Sequence, residues 1–266
     1  TFSTALNGAG TYYIKVEDDY YYNSGQYSLT GSLTNGTSGI ETEGNNSRST
    51  ADVITSGSST KGQLWRNTDQ DFYKISTDGA ATISIDFDAP TNVNSKYFNI
   101  SVQTAAGTVL ASQETGKDIS FDTGVDSAGD YYVVIEDSTY LTTDEYNFST
   151  TVSAAAANNN TAETESNNTL STADTIEMDK AIVGQLSSSS DLDYFKFDVT
   201  QASTLSLAFD VPTNVNSDYF KISVHDIAGT TLSSHEVGSD STFSTALNGA
   251  GTYYIKVEDD YYYNSG

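Results

Sequence analysis

The chain has 266 residues, 36% of them apolar and 12% aromatic, with 19 Tyr and 11 Phe. That is enough large side chain to bury a real core, which excludes a wholly disordered polymer despite the Ser, Thr, Asn and Gly content. Thirty-six acidic residues against eleven basic give a net charge of −25 and leave no basic patch to neutralise phosphates, so nucleic-acid binding and attraction to an anionic membrane are excluded. The same charge suits solubility and self-repulsion between copies, or a need for cations, chiefly Ca²⁺.

Cysteine is absent, which removes disulfides and thiolate chemistry, and two prolines are too few for polyproline linkers. No apolar run reaches the roughly 18 residues of a membrane-spanning helix. No signal peptide is visible, and its absence is uninformative because the chain is expected to open in the middle of a domain.

Internal repetition organises the rest. Residues Thr1–Gly25 recur without change as Thr242–Gly266, a return to register after 241 residues (242 − 1). A weaker copy lies inside that period at an offset of 122 (163 − 41). It pairs Glu41-Thr-Glu43-Gly-Asn45-Asn46 with Glu163-Thr-Glu165-Ser-Asn167-Asn168, and Pro90-Thr-Asn-Val-Asn-Ser95 with Pro212-Thr-Asn-Val-Asn-Ser217. In chain order this predicts the final strands of a truncated repeat over 1–34 and a linker over 35–40. Repeat A follows over 41–153, then a linker over 154–162, then repeat B over 163–266, itself truncated and in the register of 1–25. The pattern is that of an array, and its neighbouring repeats are the first expected partners.

Period-two alternation predicts strands throughout. Tyr12, Ile14 and Val16 face one way and Tyr13, Lys15 and Glu17 the other. Ile83, Ile85 and Phe87 alternate with polar residues, as do Phe98, Ile100 and Val102. In repeat B, Leu205, Leu207 and Phe209 and then Phe220, Ile222 and Val224 repeat the pattern. Strands of about six residues between Gly, Asn, Asp and Ser turns predict an all-β fold of tandem antiparallel, jelly-roll-like β-sandwich domains. Only Ser49–Ile54 and Ser171–Ile176 suggest a single helical turn.

The most specific constellation is Glu-x-Glu-x-Asn at the head of each repeat with Asp-x-Asp 28 and 30 residues on (69 − 41, 71 − 41). Oxygen-only ligands from a linker and a loop suit Ca²⁺, which takes six to eight of them. Glu41, Glu43, Asn45 and Asp71 form one candidate set and Glu163, Glu165, Asn167 and Asp193 the other, with Asp69 and Asp191 as secondary candidates. The same residues equally suit a solvated acidic linker and a turn capped by Asn. Three consecutive tyrosines, Tyr20, Tyr21 and Tyr22, recur as Tyr261, Tyr262 and Tyr263. They read as an edge packing on a neighbour domain or as an aromatic platform for a glycan or peptide. Nothing points to catalysis. His225 and His235 have Gln103 and Gln113 at the offset of 122, no nucleophile elbow or His-Glu-x-x-His motif occurs, and no pair of carboxylates is singled out.

The ordered motifs Glu163-Thr-Glu-Ser-Asn-Asn, Ala173-Asp-Thr-Ile, Gly184-Gln-Leu, Asp191-Leu-Asp193-Tyr-Phe-Lys-Phe and Ala250-Gly-Thr-Tyr-Tyr-Ile-Lys-Val257 resemble the bacterial pre-peptidase C-terminal domain. They are also similar to the collagen-binding domains of clostridial collagenases. Repeat A matches through Glu41 to Ala51, Gly62-Gln-Leu64, Asp71-Phe-Tyr-Lys-Ile75 and Ala128 to Ile135. The resemblance implies a jelly-roll sandwich that binds Ca²⁺ through the Glu-x-Glu-x-Asn segment and the downstream Asp. Those members carry an acidic residue three before the final Asp, where this chain has Thr68 and Ser190. The expected function is a non-catalytic, Ca²⁺-stiffened stalk or filament of a secreted or cell-surface bacterial protein. The alternative is an accessory module that holds an enzyme or adhesin on collagen, another protein or polysaccharide.

Overall fold

A computed structural model describes residues 4–6, 10–18, 25–34, 39–154, 162–211 and 219–260. The tyrosines expected to form an edge or an aromatic platform all lie outside the described residues: Tyr20, Tyr21 and Tyr22 in the first copy, and Tyr261, Tyr262 and Tyr263 in the second. Residues 35–38 and 155–161 of the two linkers lie outside them as well. Among the described residues there is no helix.

Repeat A contributes β1 (Asp52–Val53), β2 (Ser59–Gly62), β3 (Gln70–Thr77), β4 (Ala81–Asp88), β5 (Phe98–Thr104), β6 (Val109–Thr115), β7 (Ile119–Val125), β8 (Gly129–Asp137) and β9 (Tyr146–Ala154). They form a five-stranded sheet in the order β1-β3-β8-β5-β6 and a four-stranded sheet in the order β2-β9-β4-β7. From β3 onward the chain passes back and forth between the two sheets, apart from the β5–β6 hairpin. Every pairing is antiparallel except β1 with β3. Repeat B supplies β10 (Asp174–Thr175), β11 (Leu192–Val199), β12 (Ser203–Phe209), β13 (Phe220–Asp226), β14 (Thr231–Val237), β15 (Ser241–Leu247) and β16 (Gly251–Asp259). These form a five-stranded sheet β10-β11-β16-β13-β14 and the pair β12-β15. The protein is an all-β molecule of packed sandwich sheets.

The offset of 122 holds in the backbone as well as in the sequence. β1, β3, β5, β6, β7 and β8 begin 122 residues before β10, β11, β13, β14, β15 and β16. A bulge interrupts the ladder at Val102/Gln103 in one repeat and at Val224/His225 in the other. The segments around Ser49 and Ser171 each make one turn, closed by Thr50 N–H to Ser47 O (3.0 Å) and Thr172 N–H to Thr169 O (3.1 Å), before the chain enters β1 or β10.

The alternating residues meet between the sheets. Ile83, Ile85 and Phe87 of β4 are buried against Phe98, Ile100 and Val102 of β5 and Val133 and Ile135 of β8. In repeat B, Phe220, Ile222 and Val224 are buried in the same way, but Leu207 and Phe209 of β12 are only half covered. β4 has a hydrogen-bonded neighbour on each side, β7 and β9, whereas β12 has β15 alone among the described residues. β8 reads as an unbroken apolar run because its outer face is covered too: Tyr132 and Val134 pack with Phe72 there, under the Arg48 guanidinium.

Residues 4–6, 10–18 and 25–34, expected as the closing strands of a repeat, form no strand among the described residues. Tyr13 is 90% and Leu33 86% exposed. Among the described residues no sheet pairs with or covers these segments, so their alternating pattern does not settle into strands.

Candidate metal centre

The head of each repeat is fastened to the sandwich by backbone bonds, and this sets where its acids point. In repeat A, Glu41 N–H donates to Lys61 O (2.9 Å), Phe72 N–H donates to Asn45 O (3.0 Å), and Thr42 N–H donates to the Asp52 carboxylate (2.6 Å). Repeat B repeats all three: Glu163 N–H to Val183 O (2.8 Å), Tyr194 N–H to Asn167 O (3.1 Å), and Thr164 N–H to Asp174 (2.6 Å). The Glu-x-Glu-x-Asn segment is therefore laid along the open end of β3 or β11, beside the Asp-x-Asp turn. Leu64 and Leu186, in the Gly-Gln-Leu motif, are buried next to it, and the Gln backbone N–H of each motif donates to the first glutamate.

Both centres are deeply covered. Glu41, Asn45, Asp69 and Asp71, and likewise Glu163, Asn167, Asp191 and Asp193, are all at most 5% exposed. The second glutamates, Glu43 and Glu165, are half-buried. In repeat B, carboxylate oxygens of Glu163, Glu165 and Asp193 lie within 4.8 Å of one another. In repeat A, Glu41 and Asp71 are brought together instead by two buried phenols. Tyr73 donates to Glu41 Oε2 (2.8 Å), Tyr146 donates to Asp71 Oδ2 (2.6 Å), and the two hydroxyls are 2.7 Å apart. Glu43 lies further out, accepting from Gly44 N–H (3.3 Å) beside the charge of Asp69.

The secondary candidates have a different environment. Asp69 accepts from Asn46 Nδ2 and Trp65 N–H, both at 3.1 Å. Asp191 accepts from the backbone N–H and hydroxyl of Ser187 (2.7 Å each) and from Leu192 N–H (3.0 Å). These carboxylates shape the turn that presents Asp71 and Asp193.

Burial controls the electrostatics. Desolvation, before any neighbouring charge, pushes Glu41, Asp71, Glu163 and Asp193 well above the usual carboxylate range. Glu165 is pushed up to about 8, first by burial and then by the charges of Asp191 and Asp193. Burial also raises Tyr73 and Tyr146, so these phenols stay protonated donors. Among the described residues no Lys or Arg forms an ion pair with any of these acids.

The oxygens left over match between the repeats. Asn45 Oδ1 and Asp71 Oδ1 are buried without a hydrogen-bond partner, and so are their counterparts Asn167 Oδ1 and Asp193 Oδ1, together with Glu165 Oε1. An orphaned buried acceptor costs about 1–3 kcal/mol, a cost that a cation bound there would offset. The oxygen-only donor set fits a hard cation of the Ca²⁺ type.

Sequence reading missed Asp52 and Asp174, which hold the segment by its backbone, and the phenol pair Tyr73–Tyr146. Asp174 stood within the Ala173-Asp-Thr-Ile motif, which was its only signal. The histidines sit on paired strands: His225 Nε2 is 2.8 Å from Ser223 Oγ, and His235 stacks on Phe243 at 4.1 Å.

Fold and centre together define an all-β protein of sandwich sheets in which two Glu-x-Glu-x-Asn segments each place buried acidic and amide oxygens beside an Asp-x-Asp turn. No family model matches the chain, and no curated protein matches it. Among solved structures it is similar to the pre-peptidase C-terminal domain of the collagenase from Bacillus anthracis. That match has 18% identity and a TM-score of 0.32, over 38% of this chain and 93% of that one. It is also similar to the PBSX exported protein XepA (11% identity, TM-score 0.29, 78% and 88% covered) and to PNGF-II (9% identity, TM-score 0.26, 71% and 56% covered).

Proposed function

We propose that the chain is a non-catalytic structural segment of a secreted or cell-surface bacterial protein, a stalk or filament of sandwiches stiffened by one Ca²⁺ at the head of each repeat. Asn45, Asp71, Glu41 and Glu43 would hold the ion in repeat A, and Asn167, Asp193, Glu163 and Glu165 in repeat B. The bound ion supplies positive charge to carboxylates that otherwise repel one another in a desolvated pocket. It also ties the acidic leading segment to the body of the domain.

The observation that carries this reading is the set of orphaned oxygens at equivalent places in two repeats that differ elsewhere. A solvated acidic linker would not bury Asn45, Asp71, Asn167 and Asp193 to this extent. Extracellular Ca²⁺ modules bind in the range of about 10⁻⁴–10⁻³ M, and a site that assembles from a linker and a turn belongs there.

Calorimetric titration of chelator-stripped protein tests the site. Two Ca²⁺ per chain are expected, with Mg²⁺ far weaker because it demands a tighter octahedron. Heats no larger than dilution at millimolar Ca²⁺ would end the metal reading. Negative-stain images of the native material test the stalk: beaded rods of even spacing that loosen on chelation support it, and isolated particles that adhere to a matrix polymer refute it.

A further inference from the structure

We infer that Gly124 makes the passage from repeat A into repeat B a docked joint, that the passage from a B-type end into repeat A lacks this docking, and that the rigid element of the array is therefore an A–B pair. Gly124 lies near the end of β7 and forms an isolated parallel bridge with Thr164, the residue after the first glutamate of repeat B. A Cβ on Gly124 would overlap the Glu163 backbone carbonyl and crowd Ala162 O at 3.3 Å, and these are backbone atoms that cannot swing aside. A second contact reinforces the first, since the Gln185 side-chain amide donates to Ser112 O on β6 (2.7 Å). Repeat B is thus seated on the β6–β7 end of repeat A through the segment that carries its candidate ligands.

The other joint has a different residue at the critical place. The offset of 122 carries Gly124 to Ala246, and Ala246 recurs as Ala5 in the B-type segment ahead of repeat A. A methyl group there occupies the space that the glutamate carbonyl takes in the A-to-B joint. The spacing differs too: Gly124 stands 39 residues before Glu163 (163 − 124), but Ala5 stands 36 before Glu41 (41 − 5). Gln63, the counterpart of Gln185, donates instead to Thr143 O of its own repeat. An array of this sequence therefore alternates a joint that is closed without metal with one that has only its bound ion to stiffen it, and it is the second that chelation loosens. The metal is not required for this asymmetry, which rests on backbone contacts and on one methyl group.

Pulsed electron-spin distance measurement on the 266-residue chain tests the inference, because the absence of native Cys permits clean double labelling. Asp78→Cys and Ala228→Cys are exposed sites, one on each repeat. The parent chain is expected to give one narrow distance distribution, with or without Ca²⁺. Gly124→Ala is expected to broaden it toward the spread of a free nine-residue linker, about 15–18 Å. Gln185→Ala, which leaves repeat A's strands untouched, is expected to broaden it in the same direction. Calorimetry on each variant confirms that both sandwiches still melt as in the parent. A broad distribution in the parent, or a narrow one retained in both variants with their melting unchanged, overturns the docked joint. Either result leaves the Ca²⁺ titration of each repeat free to succeed or fail separately.

Discussion

Glu165→Gln separates a ligand from an ornament. In the metal-free protein this carboxyl is held at about 8 against an ordinary 4.5, by burial and by Asp191 and Asp193. At pH 7 that amounts to about 2.5 units of unfavourable protonation equilibrium, or about 3.4 kcal/mol at 1.36 kcal/mol per unit. Glu165 is half-buried, and halving the figure for solvent screening leaves about 1.5–2 kcal/mol. The amide carries no charge, and its Nε2 can donate to the neighbouring aspartates. Repeat B without metal should therefore melt higher in the variant, by about 4–8 °C for each kcal/mol in a domain of this size. The sign with pH follows from the raised value. Stability associated with Glu165 is fully present below 4.5 and is lost as pH rises through about 8. The gap between variant and parent should accordingly close near pH 4 and be widest near pH 8. In Ca²⁺ the order reverses, because the parent gains the ion and the variant has lost a ligand. Differential scanning calorimetry in chelator and in millimolar Ca²⁺, at about pH 4.5 and about pH 7.5, reads all four cases. A variant that melts lower than the parent in chelator and keeps the full Ca²⁺ gain would refute both the burial argument and the ligand assignment.

Ca²⁺ at about one hundred times its dissociation constant should add about 2.7 kcal/mol to each repeat. Trp65 is the single tryptophan, and its backbone N–H is bonded to Asp69 at the repeat A centre. Its emission should change with Ca²⁺ as repeat A fills, and a flat titration there would place the ion elsewhere. Tyr73→Phe removes the donor to Glu41 Oε2, and repeat B already carries Phe195 at that position, so the fold tolerates the ring. Loss of this donor leaves a buried carboxyl oxygen unpaired and should cost repeat A about 1–3 kcal/mol in chelator. Urea unfolding followed at Trp65 measures it, and an unchanged midpoint would show that the phenol contributes nothing.

Much of the centre was legible because the repeat prints it twice. Glu-x-Glu-x-Asn and Asp-x-Asp keep their spacing across an offset of 122 while the turns around them vary, and the residues so marked are buried, apart from the half-buried Glu43 and Glu165. What stayed hidden depends on contacts across the fold. Tyr146 reaches Asp71 from β9, 75 residues away in sequence, and only the packing of the two sheets brings the phenol there. Asp52 holds the segment through the backbone N–H of Thr42, a contact that any residue type at position 42 except proline could make and that no motif reveals. The docking role of Gly124 was equally invisible, since a glycine in a strand looks like any weak strand position until another backbone is seen beside it.

The repeated 25-residue segment shows how far local pattern reaches. Tyr253, Ile255 and Val257 on β16 are 8%, 4% and 8% exposed, whereas the same residues as Tyr12, Ile14 and Val16 are 50%, 68% and 54% exposed and form no strand. Burying three such side chains yields about 5–9 kcal/mol, while ordering a nine-residue backbone costs about 9–18 kcal/mol. The strand is stable only where β11 and β13 bond it on both sides. Hydrogen exchange can read this directly, because the two copies have identical intrinsic exchange rates and their shared peptides have one mass. Such a peptide spanning 12–18 and 253–259 should show two isotopic envelopes of equal area, one exchanged at once and one protected for as long as β16 stays paired. A single slow envelope would show that the leading copy has found partner strands in another molecule, and the exposed state described for it would not be the one in solution.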